Sequence, residues 1–170
     1  RLVSKLGPSP YSYEIYEVRI DEINAFTIGA KIFVATGMLN FVRSDDELAG
    51  VIGHEIYHNE LGHIKKKLQI DRTARGTLGD DFGQMATEMH GFFTTPFNQK
   101  DEAYCDLHGI DLVLKAGYDP CGTVGIWERM ASMEGDFNVG ENMLRSHPFG
   151  EKRMQCSHHH LQSNHQQSCD

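Results

Sequence analysis

The chain has 170 residues, 39% hydrophobic and 24% charged, with a formal net charge of −8. That is about one domain, with enough apolar content for a core, and no apolar run approaches the ~20 residues of a membrane span. The acidic balance argues against nucleic acid as a partner, because no basic patch exceeds the run Lys65-Lys66-Lys67.

Tyr13, Ile15, Val18 and Ile20, with charges between them, predict a strand over 13–20. Asp21 to Asn24 reads as a turn. Ala25 to Ile28 and Lys31 to Ala35 are short apolar runs around Gly29 and predict two strands or a hairpin. Gly37 to Val42 suits a short helix. Ser44-Asp45-Asp46-Glu47 is a capping box, with acids in the first turn. The helix it opens is predicted over 45–68, and the lysine run at its end complements the helix dipole.

Arg72 to Gly83 is polar and Gly-rich and reads as a loop. Met85 to Phe97 reads as a core-packing helix and turn, or as an apolar wall over a cleft. Asn98 caps a helix predicted to Ala116, with Lys115 in the last turn and Gly117 after it. Asp119-Pro120 restarts a helix to about Met133. Gly135 to Asn142 reads as a loop, and Ser146-His147-Pro148 opens a last helix. A domain over 1–156 is followed by a polar tail, 157–170, rich in His, Gln and Ser. Its run His158-His159-His160 offers adventitious metal binding at most. None of Cys105, Cys121, Cys156 and Cys169 forms C-x-x-C, which argues against a cysteine-rich zinc knuckle. Four cysteines suit one or two disulfides in an oxidising compartment, or free buried thiols.

His54-Glu55-Ile56-Tyr57-His58 falls in the middle of the capped helix. Histidines four apart share a helical face and can hold one zinc ion, and the glutamate beside the first can serve as general base toward water. A catalytic zinc site needs a third protein ligand. On a continuous helix His63 points away from His54, and Leu61 and Ile64 stand where the metzincin spacing needs glycine and histidine. Glu102 and Asp106, four apart on a second helix, are the better match. Glu102 is expected to ligate and Asp106 to orient a zinc-bound imidazole; the competing reading is a pair of solvated surface acids. His147, just before a helix start, is a candidate to support a developing oxyanion.

Asn24-Ala25-Phe26, Ile32-Phe33-Val34, Gly37, Asp46-Glu47-Leu48-Ala49 leading into H-E-x-x-H, Glu102-x-x-x-Asp106, and Ser146-His147-Pro148 with Arg153 occur in that order. This set resembles the M48 family of gluzincin peptidases, the group of the CAAX prenyl protease, HtpX, Oma and BepA, over about residues 13–155. The resemblance implies an α+β, mostly helical, zincin-like domain with a small sheet beside the helix carrying H-E-x-x-H. It implies one zinc per chain on His54, His58 and Glu102, Glu55 as base, and Asp106 behind the ligands. It implies that His147 caps the zinc in a resting state and that Arg153 supports substrate or oxyanion. The strand Ile32-Phe33-Val34 would be the edge on which a polypeptide substrate adds as a further strand, with Asn24 shaping it. The transmembrane helices and repeat arrays of some members are absent from this sequence. That points to the short bacterial type, periplasmic or otherwise extracytoplasmic and often lipid-anchored, cleaving misfolded or envelope proteins. The other reading kept open is a latent or non-catalytic zinc-binding, chaperone-like module that holds unfolded chains.

Overall fold

The computed structural model describes residues 1–67, 69, 96–133, 147 and 151–169. The loops expected at 72–83 and 135–142, and most of the 85–97 segment, lie outside the described residues. Those described form α1 (Leu2–Lys5), β1 (Glu14–Val18), β2 (Ala25–Ile28), β3 (Lys31–Ala35), α2 (Thr36–Phe41), α3 (Asp45–Glu60), α4 (Gln99–Lys115), α5 (Pro120–Ser132) and α6 (Glu151–His165). The expected class holds: a mostly helical domain with one small sheet.

β2 and β3 form the expected hairpin, with Ile28 opposite Lys31 across a two-residue turn. β1 pairs parallel with β3 on its other side, so the order is β1-β3-β2. This corrects the expectation that Ile32-Phe33-Val34 is an exposed edge. β3 is the central strand, and its Ile32 and Val34 are buried in the core. The edges among the described residues are β1 and β2. β2 lies against α3, where the Asn59 amide donates to Thr27 Oγ1 at 2.5 Å and to the Gly29 carbonyl.

The helix starts follow their caps. Ser44 Oγ accepts from Glu47 N–H at 3.2 Å, and Glu47 Oε2 accepts from Arg43 N–H at 2.7 Å. Arg129 of α5 donates to both oxygens of Glu47, at 2.6 and 2.8 Å, so the cap also ties α5 to α3. Asn98 Oδ1 accepts from Asp101 N–H at 2.9 Å, and Asp119 Oδ1 from Cys121 N–H at 2.9 Å. The end of α3 differs from expectation. It stops at Glu60, and a helical segment resumes only at 63–67, because Gly62 takes φ +72°, a left-handed conformation that ends helices.

α3 is buried nearly all round, with Val51, Ile52 and Ile56 in a core shared with Ile32, Val34, Val113 and Trp127. It approaches α4 closely where Gly53 meets Gly109. A Cβ on Gly109 would lie 3.1 Å from His54 N, and one on Gly53 would lie 3.2 Å from Gly109 O. The pairing of two glycines brings α4 close enough for its short acidic side chains to reach the histidines of α3.

The expected polar tail is also corrected. Residues 157–165 continue α6, with Ser157 and Leu161 buried. Leu161 packs with Ile110 of α4 and Val124 of α5, and Cys169 forms a disulfide with Cys121 at the start of α5. Cys105 and Cys156 are free. We expect Gly109→Val to force α3 and α4 apart. Overpacking of this kind costs about 1–3 kcal/mol, readable as a lower urea midpoint at unchanged slope.

Candidate metal centre

α3 presents His54 and His58 one turn apart, with their Nε2 atoms 3.0 Å from each other. The first turn of α4 brings Glu102 against both, Oε2 at 3.4 Å from His54 Nε2 and Oε1 at 3.2 Å from His58 Nε2. His147 closes the group. Its Nδ1 lies 3.2 Å from His54 Nε2 and 3.1 Å from Glu102 Oε2. All four side chains are buried.

These spacings test whether a metal fits. Donors bound tetrahedrally at 2.0–2.1 Å stand about 3.3 Å from one another. The five separations above run from 3.0 to 3.4 Å. Two imidazole nitrogens and a carboxylate aimed at one buried point, with a third imidazole beside them, are a donor set suited to zinc. The residues present therefore fit a metal ion.

Behind the donors lies an ordered set of supports. His54 Nδ1 is 2.9 Å from Asp106 Oδ1, a contact that fixes the ring and leaves Nε2 facing the centre. Arg153 of α6 donates from Nε to Asp106 Oδ2 at 2.7 Å and from Nη2 to Oδ1 at 2.8 Å, and its Nη1 lies 2.9 Å from Glu102 Oε2. Arg153 is 4% exposed. It is paired with both carboxylates.

Burial alone would neutralise these carboxylates. It pushes Glu102 upward, but the contacts with His147, His54 and His58 outweigh it and hold the group well below the usual carboxylate range. Burial opposes the charge on Asp106 too, and Arg153 and His54 overcome it. On His54 burial opposes protonation, yet Asp106 and Glu102 bring it up to about 9. His58, by contrast, is driven well below the ordinary imidazole value, chiefly by burial.

Glu55 points into the same region. Burial raises its pKa, and its Oε1 has no hydrogen-bond partner among the described residues, with His147 Nε2 at 3.6 Å. The structure thus gathers His54, Glu55, His58, Glu102, Asp106, His147 and Arg153. The four remaining sequence candidates lie elsewhere. Ile32 and Val34 face the core, Phe33 stacks between Tyr16 and Phe26 on the sheet, and Asn24 is buried just before β2.

Other residues near the centre were not anticipated. Phe97, at the end of the segment read as core or wall, lies 4.1 Å, ring to ring, from His58 and 5.3 Å from His147. Lys67, read as a dipole complement, places its ammonium 4.0 Å from the Phe97 ring centre, and burial lowers it to about 8. His63 is buried with its ring 5.4 Å from that of His58, and its Nδ1 lies 3.5 Å from Cys105 Sγ. His63 would face away from His54 only on an unbroken helix. The break at Gly62 re-aims it, and a glycine after the periodic run was the available signal. His58, His63 and Cys105 form a second potential donor group that shares His58 with the first.

The model of peptidase family M48 matches residues 1–159. The mitochondrial metalloendopeptidase OMA1 of Schizosaccharomyces pombe is 31% identical over 163 residues, covering 91% of this chain and 48% of that protein. Metalloprotease LoiP of Escherichia coli is 28% identical, covering 91% of the chain and 64% of that protein. The beta-barrel assembly-enhancing protease of Yersinia pestis is 24% identical, covering 91% and 35%. The chain spans from about a third to two thirds of the length of these relatives.

Asp106→Asn keeps the shape beside His54 but weakens the orienting contact. We expect metal affinity to fall about 10–100-fold, measured by competition with a chromogenic chelator.

Proposed function

This chain belongs to peptidase family M48, and from that footing we propose that it is a zinc-dependent endopeptidase, with His54, His58 and Glu102 holding the metal and Glu55 as general base. The observation that carries the proposal is the buried set of converging donors with a carboxylate oxygen beside it that makes no hydrogen bond among the described residues. Bound there, zinc would supply Lewis acidity toward a scissile carbonyl and make water a stronger acid.

The residues of the chain divide the remaining work. Glu55 takes the proton from the attacking water, its pKa raised by burial, and passes it to the nitrogen of the scissile bond, so that the C–N bond breaks with a neutral amine as leaving group. Asp106 keeps His54 turned toward the centre, and Arg153 keeps Asp106 and Glu102 charged at full burial. His147 occupies the fourth corner, so it must swing away before a substrate carbonyl can approach. That makes the arrangement a resting one.

Substrate is expected along β2, the edge strand beside α3. An extended segment would add there through main-chain hydrogen bonds, which requires a backbone not already paired and so favours unfolded polypeptide. The Cys121–Cys169 disulfide supports an oxidising, extracytoplasmic setting. No described helix is long and apolar enough to cross a membrane.

The second reading is a latent or non-catalytic zinc module that binds unfolded chains. Four protein donors within reach of one point favour it, because closed sites are the structural kind. Cleavage of unfolded casein separates the two. Glu55→Gln should retain zinc and lose about 10²–10⁴-fold in rate; cleavage at wild-type rate by that variant would remove Glu55 from the mechanism. His147→Ala should bind zinc and cleave faster than wild type. An unchanged rate would show that His147 does not gate the site.

A further inference from the structure

The histidines of the supposed tail are brought together with an acid of α4. Asp111 Oδ1 lies 2.6 Å from His160 Nε2 and 2.8 Å from His165 Nε2. The two rings are 5.3 Å apart, centre to centre. Helical periodicity alone does not produce this, since residues five apart sit about 140° apart around a helix. The pair converges because His165 is the last helical residue and both rings turn toward α4. Gln166 follows at φ 55°, and Gln167 N–H donates to the Leu161 carbonyl at 3.2 Å. The Gln167 amide also donates to Asp119 Oδ1 at 3.2 Å, and Cys169 is bonded to Cys121. This turn is anchored on α5.

We propose that Asp111, His160 and His165 form a second divalent-metal site of the zinc class, which clamps the C-terminal turn of α6 onto α4. Two imidazoles and a carboxylate, with donor atoms all within 4.8 Å of one another, are a borderline-soft set that favours zinc over magnesium or calcium, and a bound ion would replace the two direct ring-to-carboxylate hydrogen bonds and spread those donors to about 3.3 Å. Asn164 supplies the outer contact such sites use, its amide 2.9 Å from His160 Nδ1. Turned to present its oxygen, that amide accepts the Nδ1 proton and frees Nε2 for the metal. The side chains of Asp111, His160 and His165 are 42%, 13% and 29% exposed, so water can complete the coordination. α6 also carries Arg153, and the clamp fixes the far end of the helix that supports the first centre. The proposal does not rest on peptidase activity.

The test is zinc stoichiometry of the chelator-stripped full chain, titrated with zinc chloride at micromolar levels and read by native mass spectrometry. His160→Asn with His165→Asn, and separately Asp111→Asn, should each bind one zinc fewer than wild type. His158→Asn with His159→Asn should match wild type, and Asn164→Leu should weaken the lost equivalent about tenfold. Cooperative melting of each stripped variant checks folding, and Asp111→Asn, nearly isosteric at a half-exposed position, carries the result if the double variant does not fold. Equal stoichiometry in wild type and Asp111→Asn would overturn the proposal. So would loss of an equivalent in the His158/His159 variant, which would mean chelation by the histidine run. Failure of the first centre would lower every count by one and leave these differences intact.

Discussion

Two carboxylates, Glu102 and Asp106, are buried one turn apart on α4, and the molecule is arranged around keeping both charged. An isolated buried carboxylate would take up a proton. Here Arg153 bridges the pair from α6 and three histidines face them from the other side. The close approach at Gly53 and Gly109 brings the histidines of α3 within reach. The disulfide and the buried Leu161 hold α6, and through it Arg153, in place. Removing one charge from such a group leaves its partner buried and unpaired, which costs several kcal/mol.

The same burial gives neighbouring glutamates opposite characters. Glu102 is held far below its usual range by the imidazoles it touches, so it remains an acceptor fit for a metal. Glu55 Oε1 makes no hydrogen bond among the described residues, its imidazole neighbour His147 standing at 3.6 Å, and burial pushes the group upward, as the proposed role of general base requires. Titratable groups whose surroundings drive their pKa values apart are the mark of divided acid–base roles.

Local signals were legible in the sequence where one or two residues decide the outcome. Ser44, Asn98 and Asp119 each cap a helix where they were read to do so, and the H-E-x-x-H lies in mid-helix. Glu102 and Asp106 meet the histidines because four-residue spacing fixes a helical face. What failed depended on tertiary structure. Strand order cannot be read from three short segments, so nothing in them shows that β1 covers the other side of β3. The stop at Gly62 was overrun because the polar lysines after it still suited a helix end. Residues 157–165 read as tail because only Ser157 and Leu161 of that stretch are buried, too few to form a stripe. Disulfide pairing is not deducible from four cysteines.

The most direct test of the central claim is X-ray absorption at the zinc edge on the Asp111→Asn chain, which lacks the carboxylate of the second group, loaded with a single equivalent of zinc. Nitrogen and oxygen neighbours at about 2.0–2.1 Å, with at least two imidazoles and no sulfur, are the predicted result. A sulfur neighbour at about 2.3 Å would contradict it, and would move the centre to Cys105, His63 and His58.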